Sequence, residues 1–119
     1  MADPAGSMMN VREEKVGTVN VVTPLGPLTD EDGAEFVELL QAHVESANPH
    51  VVLNMDEVSY LDSHALEVLL GAARELRNHS LPLKLAKLTP TCREIFDLTE
   101  LTGEFEVFDD VEDAVRSFL

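Results

Sequence analysis

Short apolar runs alternate along this chain with segments whose apolar residues recur at helical spacing, and that alternation is what most restricts its fold. Val19, Val21, Val22 and Leu25 mark a strand over 18–25, and residues 11–16, joined to it through Gly17, predict an opening hairpin. After the Gly26-Pro27 break, Thr29-Asp30 offers a helix N-cap. Phe36, Leu40, Val44 and Ala47, with Val37 and Leu39, then give a helical stripe that Asn48-Pro49 ends. Val51-Val52-Leu53-Asn54-Met55 has the unbroken apolarity of a central strand covered on both faces. Ala65, Leu66, Leu69, Ala72, Ala73 and Leu76 form the next helical stripe, after the capping signal Asp62-Ser63.

Leu83, Leu85 and Leu88 predict another strand, and Thr89-Pro90 opens a helix with a capping threonine and a proline at its first position. Ile95, Leu98 and Leu101 are assigned to the apolar side of that helix, and Gly103 to its stop. Phe105-Glu106-Val107-Phe108 is a last short strand. Asp109-Asp110 caps a final helix carrying Val111, Ala114, Val115, Phe118 and Leu119. Strands separated by helices require crossover connections. The expectation is therefore an α/β sandwich: a mixed, mostly parallel sheet of about five strands with about four helices, and an antiparallel edge from the opening pair. With 119 residues and no internal linker, one domain over 11–119 is expected; residues 1–10 read as a disordered or cloning-derived tail, on the strength of Gly6-Ser7 before Met8.

Charge narrows the function. The chain has 23 acidic residues against 8 Lys and Arg, a formal net charge of -15. Such a surface repels phosphate backbones, so direct nucleic-acid binding is not expected, whereas basic partners suit it. The acidic run from Glu100 to Asp113 reads as a solvated face. A lone cysteine, Cys92, excludes an internal disulfide, and no apolar run approaches the ~20 residues that span a bilayer. The first ten residues lack the basic start and apolar stretch of a signal peptide. No membrane insertion and a cytoplasmic location are the expectation.

Ser63 is the residue with most chemical scope. It follows a buried-looking strand and opens an amphipathic helix, where a phosphate would face backbone N–H groups and the positive end of the helix dipole. The same position also reads as a plain cap, through Asp62 or Ser63 itself. His64 beside Ser63 invites a hydrolase reading, but Leu61-Asp62-Ser63-His64-Ala65 is not a nucleophile elbow and no third, orienting group follows. His43, His50, His64 and His79 lack metal-ligand spacing, and no glycine-rich phosphate loop is present. Neither a metal, a cofactor nor catalysis is expected.

From about Val11 to Leu119 the chain resembles the STAS family, including the bacterial anti-sigma factor antagonists. The resemblance is carried by Val58-Ser59-Tyr60-Leu61-Asp62-Ser63 running into Ala65-Leu66-Glu67-Val68-Leu69, by Leu25-Gly26-Pro27-Leu28-Thr29, and by Leu98-Thr99-Glu100-Leu101-Thr102-Gly103 with the strand and helix that follow. It implies partner switching. An anti-sigma factor that is also a serine kinase binds the unphosphorylated domain, releases its sigma factor, and phosphorylates the family serine; a metal-dependent serine phosphatase reverses the step. Ser63 matches the phosphoacceptor and Asp62 the preceding Asp. Thr29, Asp30, Asp62, Ser63, His64, Ala65 and Leu66 are the partner-binding residues it implies.

Three residues depart from the family's pattern. His64 stands for a Ser or Thr, Ala65 for a Gly, and Thr29 for an Asp. The first two are expected to add bulk beside the acceptor. The same family also includes subunits of transporter or lipid-trafficking ATPase complexes, in which this helix surface would dock on an ATPase with a silent serine; that is the alternative, ahead of a small serine hydrolase.

Overall fold

The computed structural model describes residues 11–29, 33–46 and 49–118. Its elements are β1 Val11–Val16, β2 Val19–Pro24, α1 Gly33–Val44, β3 Val51–Asn54, α2 Ser63–Arg77, β4 Lys84–Ala86, α3 Pro90–Leu98, a 3-10 turn Thr102–Glu104, β5 Glu106–Phe108 and α4 Val111–Arg116. The strands form one five-stranded sheet in sequence order. β1 runs antiparallel to β2 through the Gly17 turn, and the remaining neighbours are parallel. The expected mixed, mostly parallel sheet with four helices is thus the observed one. The 1–10 tail, Asp30, Ala47, Asn48 and Leu119 lie outside the described residues.

Consecutive parallel strands joined by right-handed crossovers must lay their helices on the same face of the sheet. α1, α2 and α3 accordingly share one core with Val22, Val51, Leu53 and Leu85; Phe36, Leu40, Leu66, Leu69, Leu76 and Phe96 are its main helical contributions. α4 follows the last strand without a further crossover and covers the opposite face, where Ala114 packs with Val19, Val21, Val52 and Ala86. β3 lies in the middle of the sheet, with Val51, Val52 and Leu53 all buried, as its unbroken apolarity requires. β1 is an edge strand, and Arg12, Glu13, Glu14 and Lys15 keep that edge charged and solvated.

A lysine, which composition alone would place at the surface, is buried under α4. Lys84 in β4 is 4% exposed. Its Nζ donates to Glu106 Oε1 at 2.8 Å and to Ser117 Oγ at 2.8 Å, and it lies 4.4 Å from the centre of the Phe118 ring. A buried ammonium is tolerated only with such partners, so Lys84 fastens the end of α4 to the sheet.

The end of α3 differs from expectation, and α2 and α3 close alike. Each closes with a Schellman motif, and each uses a left-handed residue that is not glycine. After α2, Ser80 has φ 63°. Its N–H donates to Arg77 O, and the next N–H, of Leu81, reaches back to Leu76 O at 3.0 Å. After α3, Glu100 has φ 60°. Its N–H donates to Asp97 O, and Leu101 N–H to Phe96 O at 3.0 Å. Gly103 is therefore not the stop of α3. It sits in the following 3-10 turn, and the helix has already ended at Leu98. Leu101 reaches the core from beyond the helix, packing with the buried cluster that holds Phe96. A side chain in the left-handed region costs about 1–2 kcal/mol. Ser80→Gly and Glu100→Gly should each raise the stability by about 0.5–1 kcal/mol once the extra freedom of glycine in the unfolded chain is deducted, as read from urea unfolding midpoints at unchanged slope.

Among the described residues no helix is long and apolar enough to cross a membrane.

Candidate functional site

The candidate site is built at the carboxyl ends of the parallel strands, where the loops after β2 and β3 meet. β3 leaves the sheet at Asn54, whose side-chain oxygen accepts the Asp56 N–H at 3.1 Å, and Val58 N–H closes a turn on Met55 O at 3.0 Å. Val58 then plunges into the core at 0% exposure, and Leu61 follows it at 4%. Between them, Ser59 and Tyr60 are exposed.

Two loops are locked together here by backbone pairing. Leu28 N–H donates to Tyr60 O at 3.1 Å, and Asp62 N–H donates to Leu28 O at 3.1 Å, a parallel bridge between Leu28 and Leu61. The segment holding Thr29 is thereby placed beside the segment holding Asp62 and Ser63. From the other side, α3 grips the same loop. Thr89 Oγ1 donates to Val58 O at 2.9 Å, and the Cys92 thiol to the same oxygen at 3.3 Å. Thr89 meanwhile caps α3 by accepting the Cys92 N–H, as Thr89-Pro90 foretold. Burial pushes the Cys92 thiol up from its ordinary pKa, against a smaller opposing effect of its hydrogen bond with Thr89, which keeps it a structural, protonated group.

The cap of α2 resolves in favour of Asp62. With φ -94° and ψ 178° it is extended, and its Oδ1 accepts the Ala65 N–H at 3.0 Å. Ser63 is left as the first residue inside the helix. It is exposed, and its hydroxyl makes no hydrogen bond among the described residues. The hydroxyl is therefore accessible while its backbone is fixed on both sides. Because the cap lies in the neighbouring side chain, Asp62→Ala should cost about 1 kcal/mol in stability, whereas Ser63→Ala should leave the thermal midpoint within error of the parent.

The other implied contact residues divide by burial. His64 is exposed beside Ser63, and Thr29 is half-buried. Ala65 and Leu66 face the core at 1% and 7% exposure. The Ala65 methyl thus adds no bulk to the outer surface, contrary to the sequence-based expectation, because the third helical position turns inward. Only the His64 side chain enlarges the face beside the acceptor. Ser63 and His64 occupy successive helical positions, about 100° apart around the axis, which separates their side chains. Among the described residues no group of three or more His, Cys, Asp or Glu could hold a metal ion.

Sequence reasoning passed over Tyr60, the chain's single tyrosine. Its exposure follows from the local pattern: the buried Val58 and Leu61 flank two outward residues, a spacing that is readable once both are known to be core.

The comparisons with known proteins agree with this architecture. BtrV of Bordetella bronchiseptica, assigned as a candidate anti-sigma factor antagonist, is 26% identical over 110 residues, which cover 92% of this chain and 95% of that protein. TM1081 of Thermotoga maritima, also a candidate anti-sigma factor antagonist, has a crystal structure similar to this one with a TM-score of 0.84 at 17% identity, over 90% of this chain and 92% of that one. The phosphorylated form of SpoIIAA, a Bacillus cell fate determinant, gives 0.72 at 22% identity, over 92% of this chain and 100% of that one. At such identities the structural likenesses establish the fold. The family itself is established by sequence, since the STAS domain model matches residues 10–114, and this chain belongs to the STAS domain family.

Proposed function

We propose that this chain is an anti-sigma factor antagonist, a cytoplasmic binding module without catalysis of its own, and that its switch is phosphorylation of Ser63. The partner is an anti-sigma factor with serine kinase activity. It docks on the corner formed by Thr29, Asp62, Ser63 and His64, gives up its sigma factor, and phosphorylates Ser63. A metal-dependent serine phosphatase restores the binding form. The observation that carries this reading is the exposed Ser63 hydroxyl at the first position of α2, with Asp62 already serving as the cap.

The chemistry follows from that placement. Phosphate adds roughly two negative charges. At the first helical position it faces the positive end of the dipole of a fifteen-residue helix, so α2 tolerates the modification. The same charge on the outer face opposes a docked partner. Folding and binding thereby respond with opposite sign to one group, which is what a reversible switch requires. The relationship to BtrV, a candidate anti-sigma factor antagonist, supports the same reading.

Affinity capture from the source cell, with phosphosite mapping of the recovered chain, tests it. Recovery of an ATP-binding serine kinase, with phosphate on Ser63, is the expected result. A transporter ATPase bound to a chain unmodified at Ser63 would overturn it in favour of a docking subunit.

A further inference from the structure

Among the described residues, three that are not glycine hold a left-handed backbone, and two of them, Ser80 and Glu100, close helices. The third, Lys87 with φ 61°, closes none. It follows β4 directly, at the end of the sheet where Ser63 lies. Both neighbouring strands hold it there: Ala86 O accepts the Met55 N–H at 2.8 Å, and the Lys87 N–H donates to Phe108 O at 3.0 Å. Glycine takes this conformation at no steric cost, and lysine does not. Two residues on, the Thr89 hydroxyl donates to Val58 O, so the β4 exit is tied to the loop that leads to Ser63.

The fold makes no use of the lysine side chain in return. It is exposed, and its ammonium has no hydrogen bond or ion pair among the described residues. Carboxylates stand on the loops to either side in strand order, Asp56 and Glu57 after β3 and Asp109 and Asp110 after β5, yet none pairs with it. At the opposite end of the sheet, Arg74 and Arg77 pair with Glu104, Lys84 with Glu106, and Arg116 with Glu112 and Asp113. Arg12, Lys15 and Arg93 are also unpaired, but they stand on regular strand or helix backbone. Lys87 alone combines an unused charge with a strained backbone, and such strain gathers at functional positions.

We propose that Lys87 is a recognition residue of this chain, and that its ammonium meets a carboxylate of the serine kinase when that partner docks on the Ser63 corner. The inference rests on the binding-module reading above and adds to it one polar contact. Its sign agrees with the switch. A partner surface that presents a carboxylate is attracted by Lys87 and repelled by a phosphate on Ser63. The net charge of -15 and the acids of the flanking loops disfavour an acidic partner as a whole, so the contact is a single pairing and not a complementary patch.

The test treats the full chain, bound to its captured partner, with a zero-length carbodiimide that joins amines to carboxylates in contact. The chain has three lysines, Lys15, Lys84 and Lys87, and Lys84 is buried. The expected result is an amide between Lys87 and an Asp or Glu of the partner, and none at Lys15. Against that partner, Lys87→Met should weaken binding about fivefold and Lys87→Glu about 30-fold, with Lys87→Arg and Lys15→Glu within about twofold. Replacing the joined partner carboxylate by lysine should restore the Lys87→Glu complex by about tenfold or more. Lys87→Gly should raise the urea midpoint while weakening binding about fivefold, opposite signs that a purely structural role would not give. No adduct at Lys87, an adduct within the chain or between two copies of it, or an unchanged affinity for Lys87→Glu would each overturn the proposal. If the same kinase still phosphorylates Ser63, the switch then stands without it. A Lys87 adduct to a protein that binds no ATP would overturn the kinase reading and leave the carboxylate contact in place.

Discussion

Phe96→Ala will destabilise the protein by about 3–5 kcal/mol, and Leu98→Ala, two residues away on the same helix, will change it by no more than about 0.5 kcal/mol. Phe96 is 0% exposed and packs at a tilt against Phe105, ring centres 5.3 Å apart, while Leu98 is 76% exposed. Truncating Phe96 removes its apolar transfer energy and leaves a cavity that the surrounding strands and helices cannot fully close. Truncating Leu98 returns a methyl-rich side chain from water to water. Leu69→Ala, at 0% exposure on α2, should fall in the range of about 2–5 kcal/mol for the same reason as Phe96. Chemical denaturation with a constant slope checks all three. Equal losses for Phe96 and Leu98 would mean that α3 is rotated relative to the structure described.

Ser63→Asp will weaken binding of the unphosphorylated chain's partner by about tenfold to a hundredfold, or about 1.4–2.8 kcal/mol, with no loss of fold stability. The two halves of that result come from one placement. A carboxylate in the first turn of a helix is favoured by the dipole by about 0.3–1 kcal/mol, so the variant should melt at or slightly above the parent temperature. At the docked interface the same charge must be desolvated against a surface that accommodated a hydroxyl. Ser63→Ala should bind as the parent does but take up no phosphate when incubated with kinase and ATP, so that ATP no longer releases it. Calorimetric titration of the three forms against the captured kinase, with and without ATP, separates these outcomes. An unchanged affinity for Ser63→Asp would remove added charge as the mechanism, whatever the phosphorylation state of Ser63.

Much of the site was legible in the residues. Asp62-Ser63 ahead of a helical stripe already marked the start of a helix, although the sequence left open which of them caps it. The structure settles that by aiming Asp62 Oδ1 at the Ala65 N–H. The juxtaposition of Thr29 with Asp62 was implied only by resemblance. It is produced by the Leu28–Leu61 bridge, a pairing across 33 residues of sequence that no local pattern announces. The sorting of Ala65 and Leu66 into the core, and of His64 onto the surface, likewise depends on which side of α2 meets the sheet.

The sequence by itself determined the order and kind of the elements. Periodicity and capping chemistry are local, and Thr89 and Asp110 cap α3 and α4 where their side chains and following residues foretold. Tertiary structure decided the rest, because it turns on interactions between distant segments. The apolar residues of α3 offered more than one inward face, and packing chose Cys92, Ile95 and Phe96. Leu98 lies about 120° around the helix from their midline and was left in water. Ser80 and Glu100 adopt glycine's conformation where Leu81 and Leu101, one residue further on, pack half-buried against the core, a contact that offsets the local strain. Lys84 could be buried only once β5 and α4 supplied Glu106, Ser117 and the Phe118 ring around it.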